Sequence, residues 1–356
     1  MHTSVLPLAS TRILRLAFGT ALSLWISQAV GWTISYIAPV ITLFLLTMPM
    51  PRPKPKFFVV VVLAMTLSVY GSFVFLPLLL HQELVGLFLL SLALFHAFYV
   101  SAKGGPVVVS TLITIGLALT VAVGTVTVDG LLAVAKGLFI GASVGAAVAM
   151  FSHFLIPDRP LEAAEIDAAE TEASAKTDVD LALARRNAFR SLAVVFPILF
   201  WFLLSGASAS NAAVMIKVAA MGQEVSHTGT RKAARSLIVS TIAGGFAAII
   251  AWQILSIWPS LTMYVLLVAL AGLVFGRRIF VGNGPGHDAD TWQYAFLTMI
   301  VVLAPAVLDS DFGSSADALF YSRLLMFVWA TLYAVVAVYV FDVLWPQRSD
   351  RRRGSE

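Results

Sequence analysis

The chain has 356 residues, of which 59% are hydrophobic and only 12% are charged, with 23 Lys and Arg against 19 Asp and Glu. Soluble globular chains are about 45–50% apolar and about 25% charged. The composition therefore excludes a soluble enzyme, a nucleic-acid-binding domain and, except locally, a disordered chain. The lack of cysteine excludes disulfides, thiolate metal sites and a cysteine nucleophile. A mean hydropathy of +0.91 indicates an integral membrane protein.

Twelve apolar segments follow one another along the chain, and a spanning helix needs about 17–25 such residues. Nine are clear candidates: Phe57–Leu76, Leu84–Val100, Val107–Val123, Leu131–Ile156, Phe189–Leu204, Ser236–Ile257, Leu261–Phe275, Tyr294–Leu308 and Leu319–Trp345. Ile13–Val30 is adequate in length and is interpreted as a retained helix, while Ile34–Met48 and Asn211–Gly222 are short. Barrel strands would be shorter and would alternate in polarity, so the predicted fold is all-α.

Basic residues cluster in alternate connections between the segments. With the N-terminus in the cytoplasm, every Lys and Arg except Lys136, Lys217 and Arg323 lies in a cytoplasmic connection, at a helix start or in the tail. Acidic residues such as Glu83 and Asp129 then face outward. The positive-inside rule predicts a multi-pass protein with cytoplasmic N- and C-termini.

The two halves of the chain resemble one another. Asp129 begins a long segment with Lys136 seven positions on, and Asp317 begins another with Arg323 six positions on. Each half has an even number of crossings, so the halves are predicted to be parallel repeats related by an axis along the membrane normal.

The predicted fold is an all-α integral membrane protein of about twelve transmembrane helices, arranged as two parallel six-helix repeats. The predicted units are a first repeat (1–157), an acidic cytoplasmic linker (158–186), a second repeat (187–347) and a basic cytoplasmic tail (348–356).

The pattern from Arg12 to Gly19, a broken second segment, a basic loop and a sixth segment rich in small residues all occur twice. This pattern, which extends from Arg12 to Trp345, resembles the fusaric acid resistance family. The resemblance implies a bacterial inner (plasma) membrane exporter of aromatic carboxylic acids that works with a periplasmic adaptor of the membrane-fusion type. The architecture is more distantly similar to aluminium-activated malate transporters, in which two six-helix units flank an anion path.

Short or interrupted segments at matching positions of two repeats point to a substrate site in duplicated transporters. The second segment contains Pro39, which removes a backbone donor, and the eighth is short and contains Lys217. We therefore expect a substrate to contact both segments. The alternative is that each is a tilted or partly interfacial helix.

Three cations lie inside predicted segments, where each costs about 2.5–3.5 kcal/mol on insertion scales. Lys136 and Arg323 lie about 9–10 Å along their helices from the outer end, and Lys217 lies at a similar distance from the start of its segment. Together they are predicted to form a positive girdle that binds a carboxylate. The alternative is that they reach the outer interface or pair with nearby acidic residues.

Proton coupling needs a group that titrates near neutral pH, which favours His. His96 lies near the inner end of segment four, and His153 and Asp342 each lie four residues before the terminal proline of their half. These three are the proton-coupling candidates. Polar residues that only anchor helix ends are the alternative.

The loop with His287, Asp288 and Asp290 offers too few ligands at too loose a spacing for a metal. We therefore predict no metal site, cofactor or catalytic residue. The function expected is an efflux permease for small organic anions, such as aromatic carboxylates, with alternating access between the two halves. Expected partners are the organic anion, the lipid bilayer and, through the resemblance, the adaptor, but no nucleic acid. The alternatives are an integral-membrane enzyme or a scaffold of the cell envelope.

Overall fold

The structure is a computed structural model that describes residues 8–32, 34–48, 55–124, 128–157, 181–205, 212–226, 229–281, 288–310 and 316–346. This part of the chain is all-helical. Its helices are α1 (Leu8–Val30), α2 (Ile37–Thr47), α3 (Pro55–His81), α4 (Glu83–Ala102), α5 (Val107–Gly124), α6 (Val128–Leu155), α7 (Leu181–Ser205), α8 (Ala212–Ser226), α9 (Thr230–Ile257), α10 (Leu261–Phe280), α11 (Ala289–Ser310) and α12 (Ala316–Leu344).

Each of the twelve predicted segments coincides with one of these helices. Within the described ranges, α1, α3, α4, α6, α7, α9, α10, α11 and α12 are long and apolar enough to cross a membrane. The prediction of an all-α protein with many apolar helices is thus confirmed. Helix α7 begins at Leu181, inside the stretch predicted as linker, while residues 158–180 and the tail from 347 onward lie outside the described residues.

The interior of the bundle contains the two short helices. Every residue of α2 from Ile37 to Leu46 is buried, and so is every residue of α8 from position 213 to 226. At about 1.5 Å per residue, α2 is only about 16 Å long and α8 about 22 Å, against about 30 Å for the hydrocarbon core. These helices need not face lipid, because the longer helices surround them with an exposed apolar surface that includes Leu84, Leu204 and Ile257.

Pro39 lies in the first turn of α2 and does not interrupt the helix, which corrects the prediction of a broken segment. The helix begins at Ile37, so Pro39 is its third residue. The first turn of a helix leaves its N–H groups without intrahelical acceptors, and proline therefore removes no helical hydrogen bond there.

The helix contacts define how α1–α6 and α7–α12 are packed. Helix α1 packs against α2 and α6, and α7 against α8 and α12. Helix α3 packs against α4, α5 and α6, and α9 against α10, α11 and α12. Between the halves, α1 packs against α10 and α4 against α7, while α2 contacts α11 and α5 contacts α8.

Glycines allow the buried helix α2 to lie close to α6. A Cβ atom on Gly145 would be 2.7 Å from the carbonyl oxygen of Ala38, closer than real side chains come. Thr42 Oγ1 donates a hydrogen bond to the carbonyl oxygen of Gly145 at 3.1 Å. Small residues at such positions replace side-chain volume with close backbone contact, as is usual between membrane helices.

Candidate functional site

A cavity of about 420 Å³ lies where the two halves meet. It is bounded by the C-terminal ends of the short helices α2 and α8 and by the N-terminal ends of α5 and α11. The described residues of its wall are Phe44, Thr47, Met48, Gly105, Pro106, Val107, Val108, Thr111, Gln223, Glu224, Asp290, Gln293 and Tyr294. The wall combines apolar and aromatic side chains with a small number of polar groups, as ligand sites do.

Gln223 and Glu224 bring buried polar groups to this wall. Gln223 is fully buried, and its Nε2 donates a hydrogen bond to Thr114 Oγ1 at 3.3 Å. Glu224 is 3% exposed, and Ser236 of α9 lies close enough to its carboxylate to stabilise the negative charge. Ser236 Oγ itself lies 2.5 Å from Thr291 Oγ1 on α11. The end of α8 is therefore hydrogen-bonded to α5 through Gln223, and Glu224 lies beside the contact of α9 with α11.

Lys217 lies behind Glu224 on the same face of α8, two turns away along the helix. It is fully buried, its Nζ donates a hydrogen bond of 3.5 Å to Ser240 Oγ, and it is attracted electrostatically to Glu224. The carboxylate of Glu224 also feels the like charges of Asp288 and Asp290. The two opposite charges attract each other more strongly than they would in bulk water, because both are buried.

Two arginines of α7 hold the end of α8 and the end of α12. Arg190 donates to the carbonyl oxygen of Val225 at 2.7 Å and to Asp342 Oδ2 at 3.2 Å. Arg186 also pairs with Asp342 and donates through Nε to the carbonyl oxygen of Trp345 at 2.8 Å. In the first half, Arg15 Nη1 donates to the carbonyl oxygen of Ile156 at 3.3 Å.

Asp342, a predicted proton-coupling residue, is therefore placed in a double ion pair with Arg186 and Arg190. His153 is buried, with its Nδ1 2.9 Å from the carbonyl oxygen of Ala149, and His96 is exposed on α4. The three residues lie on α12, α6 and α4 and do not line the cavity.

The three cations of the predicted positive girdle lie at three separate places in the structure. Lys217 and Arg323 are buried, as expected, at 0% and 2% exposure. Lys136 is exposed, so the expectation of a buried cation is wrong for this residue. The Lys136 side chain faces outward from α6 and, together with Asp129, lines a separate pocket of about 480 Å³. Pro39 is buried in α2 and does not line the cavity.

Metal ligands are not clustered in the described ranges. Within them, no group of three or more His, Asp or Glu side chains could hold a metal ion. Asp288 forms an ion pair with Lys232 at 2.6 Å, whereas His287 lies outside the described residues.

The comparisons with known proteins give one match. Residues 12–152 match the model of a family described as a protein of unknown function, DUF2955. The match extends from α1 into α6, so it covers less than half of the chain. It does not confirm the resemblance to the fusaric acid resistance family. No curated protein and no solved structure matches.

Glu224 is the buried charge that the sequence analysis missed. The eighth segment was predicted to end at Gly222, because the next residues, Gln223 and Glu224, are polar. The helix continues to Ser226. The sequence does contain an indication that the helix continues to Glu224, because Lys217 and Glu224 are seven residues apart and so lie on one face of a helix.

Proposed function

We propose that the chain is a membrane transporter that moves small organic ions through the junction of two six-helix halves, α1–α6 and α7–α12. The observation that carries this proposal is the cavity of about 420 Å³ between the ends of α2, α5, α8 and α11. Small-molecule sites commonly have volumes of about 300–1,000 Å³. A scaffold would be expected to pack solidly at this junction.

The arrangement of the halves as two parallel repeats has two supports. The helix contacts within α1–α6 correspond to those within α7–α12, and the contacts between the halves are matched in the same way. The family match from residue 12 to residue 152 lies within one half. Two similar halves around a central site are the usual basis of alternating access.

Small organic anions, such as aromatic carboxylates, are the first substrate class that we propose. The buried cations Lys217 and Arg323 support it, because membrane interiors retain charged side chains chiefly for ion paths or partners. The resemblance to aromatic acid exporters supports efflux as the direction of transport, across a bacterial inner membrane and with both termini in the cytoplasm. It also supports the periplasmic adaptor as a partner.

Organic cations are a second substrate class, which the lining of the cavity favours. Among the described residues of its wall, the charged side chains are Glu224 and Asp290, both carboxylates. An integral-membrane enzyme would need a cluster of acid–base groups. At this cavity, the described residues offer carboxylates but no histidine.

The test is solute flux from proteoliposomes loaded with benzoate or with benzyltrimethylammonium. We expect at least one solute to leave faster than from protein-free vesicles. Gln293→Trp should lower that flux by about tenfold or more, because the indole fills the space that a solute needs. Gln253→Trp on the exposed surface of α9 is the matched control and should leave flux unchanged. Flux at the protein-free rate for both solutes would contradict the proposal.

A further inference from the structure

The polar side of the cavity carries two carboxylates besides neutral amide and hydroxyl groups. Among the described residues of its wall, Glu224 and Asp290 are the charged groups. Behind the wall, Lys217 is attracted to Glu224, and Asp288 is paired with Lys232. Within the described residues, these three carboxylates outnumber the two ammonium groups by one, and Asp290 is the carboxylate that no ion pair balances.

Gln223 adds an acceptor that has no protein partner within the described residues. Its side chain is fully buried and lines the cavity, and its Nε2 is bonded to Thr114. Its Oε1 accepts no hydrogen bond from any residue that the structure describes. A buried amide oxygen without a donor costs free energy, which a donor on a ligand would recover.

The opposite side of the cavity is apolar. Phe44 and Met48 of α2 face it together with Val107 and Val108 of α5. This wall can cover the hydrocarbon part of a ligand, while the acceptors bind its donors.

We propose that this cavity binds the ammonium group of a small amphipathic organic amine. An ammonium group has three donors and no acceptor, which matches the carboxylate of Glu224 and the free oxygen of Gln223. Its single positive charge balances the uncompensated negative charge. The proposal names the substrate class of the cavity, and it rests on the proposed function only for the claim that the bound amine is transported.

A carboxylate ligand is disfavoured in the same place. It would meet Glu224 and Asp290 as like charges, which repel it. It would also offer no donor to Gln223.

The proposal is tested by equilibrium binding to the full chain in lipid nanodiscs, measured by titration calorimetry. The three probes are benzylammonium, benzyl alcohol and benzoate, which share one ring and differ in charge. We expect benzylammonium to bind saturably and at least about tenfold more tightly than benzyl alcohol, since charge-assisted hydrogen bonds are the stronger kind. Benzoate should not compete with it.

Two variants test whether the amine binds in this cavity, and a third variant is the control. Glu224→Gln keeps the shape of the side chain and should weaken benzylammonium binding by about tenfold or more. Gln293→Trp should abolish binding by filling the cavity without removing a charge. Glu83→Gln, at an exposed position of α4, should bind like the wild type.

Equal binding of benzylammonium by the wild type and by Gln293→Trp would overturn the proposal, and so would benzoate binding that displaces the amine. A variant that runs as a single species on gel filtration counts as folded. Because binding needs no flux, a failure here leaves the proteoliposome result standing. Conversely, binding without flux would contradict the proposed transport function and leave the proposed binding site standing.

Discussion

Lys217→Met is expected to lower the free energy of unfolding by about 3 kcal/mol, because it removes the hydrogen bond to Ser240 and leaves the buried Glu224 carboxylate without the attraction of a nearby cation. Lys217 and Glu224 are 0% and 3% exposed, so neither charge is solvated by bulk water. Without the lysine, the Glu224 carboxylate loses this attraction and still meets the like charges of Asp288 and Asp290. The measurement is equilibrium unfolding in mixed micelles.

The double variant Lys217→Met with Glu224→Gln separates the charge pair from simple packing. Replacing both partners by groups of similar size is often nearly neutral, so most of the lost stability should return. Lys103→Met, at an exposed position beyond α4, is the matched control and should change stability little. A double variant as unstable as Lys217→Met alone would show that the pair does not stabilise the fold.

Asp342→Ala is expected to cost a similar amount, about 3–5 kcal/mol, because it leaves two arginines without their carboxylate. The side chains of Arg190, Arg186 and Asp342 are only 1%, 9% and 12% exposed. Since Arg190 also holds the carbonyl oxygen of Val225, the end of α8 should loosen as well. Asp129→Ala, on an exposed carboxylate of α6, is the control.

A second substitution, Asp342→Asn, separates two roles for Asp342. If it anchors helices, Asp342→Asn should retain pH-dependent flux per folded molecule, while unfolding becomes easier. If Asp342 carried protons, as the sequence alone suggested, the asparagine variant would lose the pH dependence of flux and keep its stability. The double ion pair with Arg186 and Arg190 supports the anchoring role.

The positions of the helices were predictable because the apolar segments are long and their boundaries are marked by charge. What failed was the assignment of charges near helix ends. Arg15 and Arg190 were expected at helix starts on the membrane surface, but α1 begins at Leu8 and α7 at Leu181. Both arginines therefore lie about two to three turns inside their helices and are buried against the C-terminal ends of α6 and α8.

The candidate site was only partly predictable, for a physical reason. Hydropathy identifies a segment by its apolar residues, so it ended the eighth segment at Gly222 and left Glu224 in a loop. Helix α8 can contain Gln223 and Glu224 because protein, rather than lipid, surrounds it on every side. Conversely, Lys136 and Arg323 occupy similar positions in their segments, yet only tertiary packing decides that Arg323 is buried and Lys136 is exposed.

The central claim is that solutes cross at the junction of the two halves, and reversible cross-linking tests it most directly. The natural chain has no cysteine, so Thr47→Cys on α2 and Gln293→Cys on α11 introduce the only thiols. A cleavable bis-methanethiosulfonate reagent would join them across the cavity in proteoliposomes loaded with benzoate or with benzyltrimethylammonium. We expect cross-linking to stop the protein-dependent flux and reduction to restore it. Flux that continues unchanged after complete cross-linking would contradict the account.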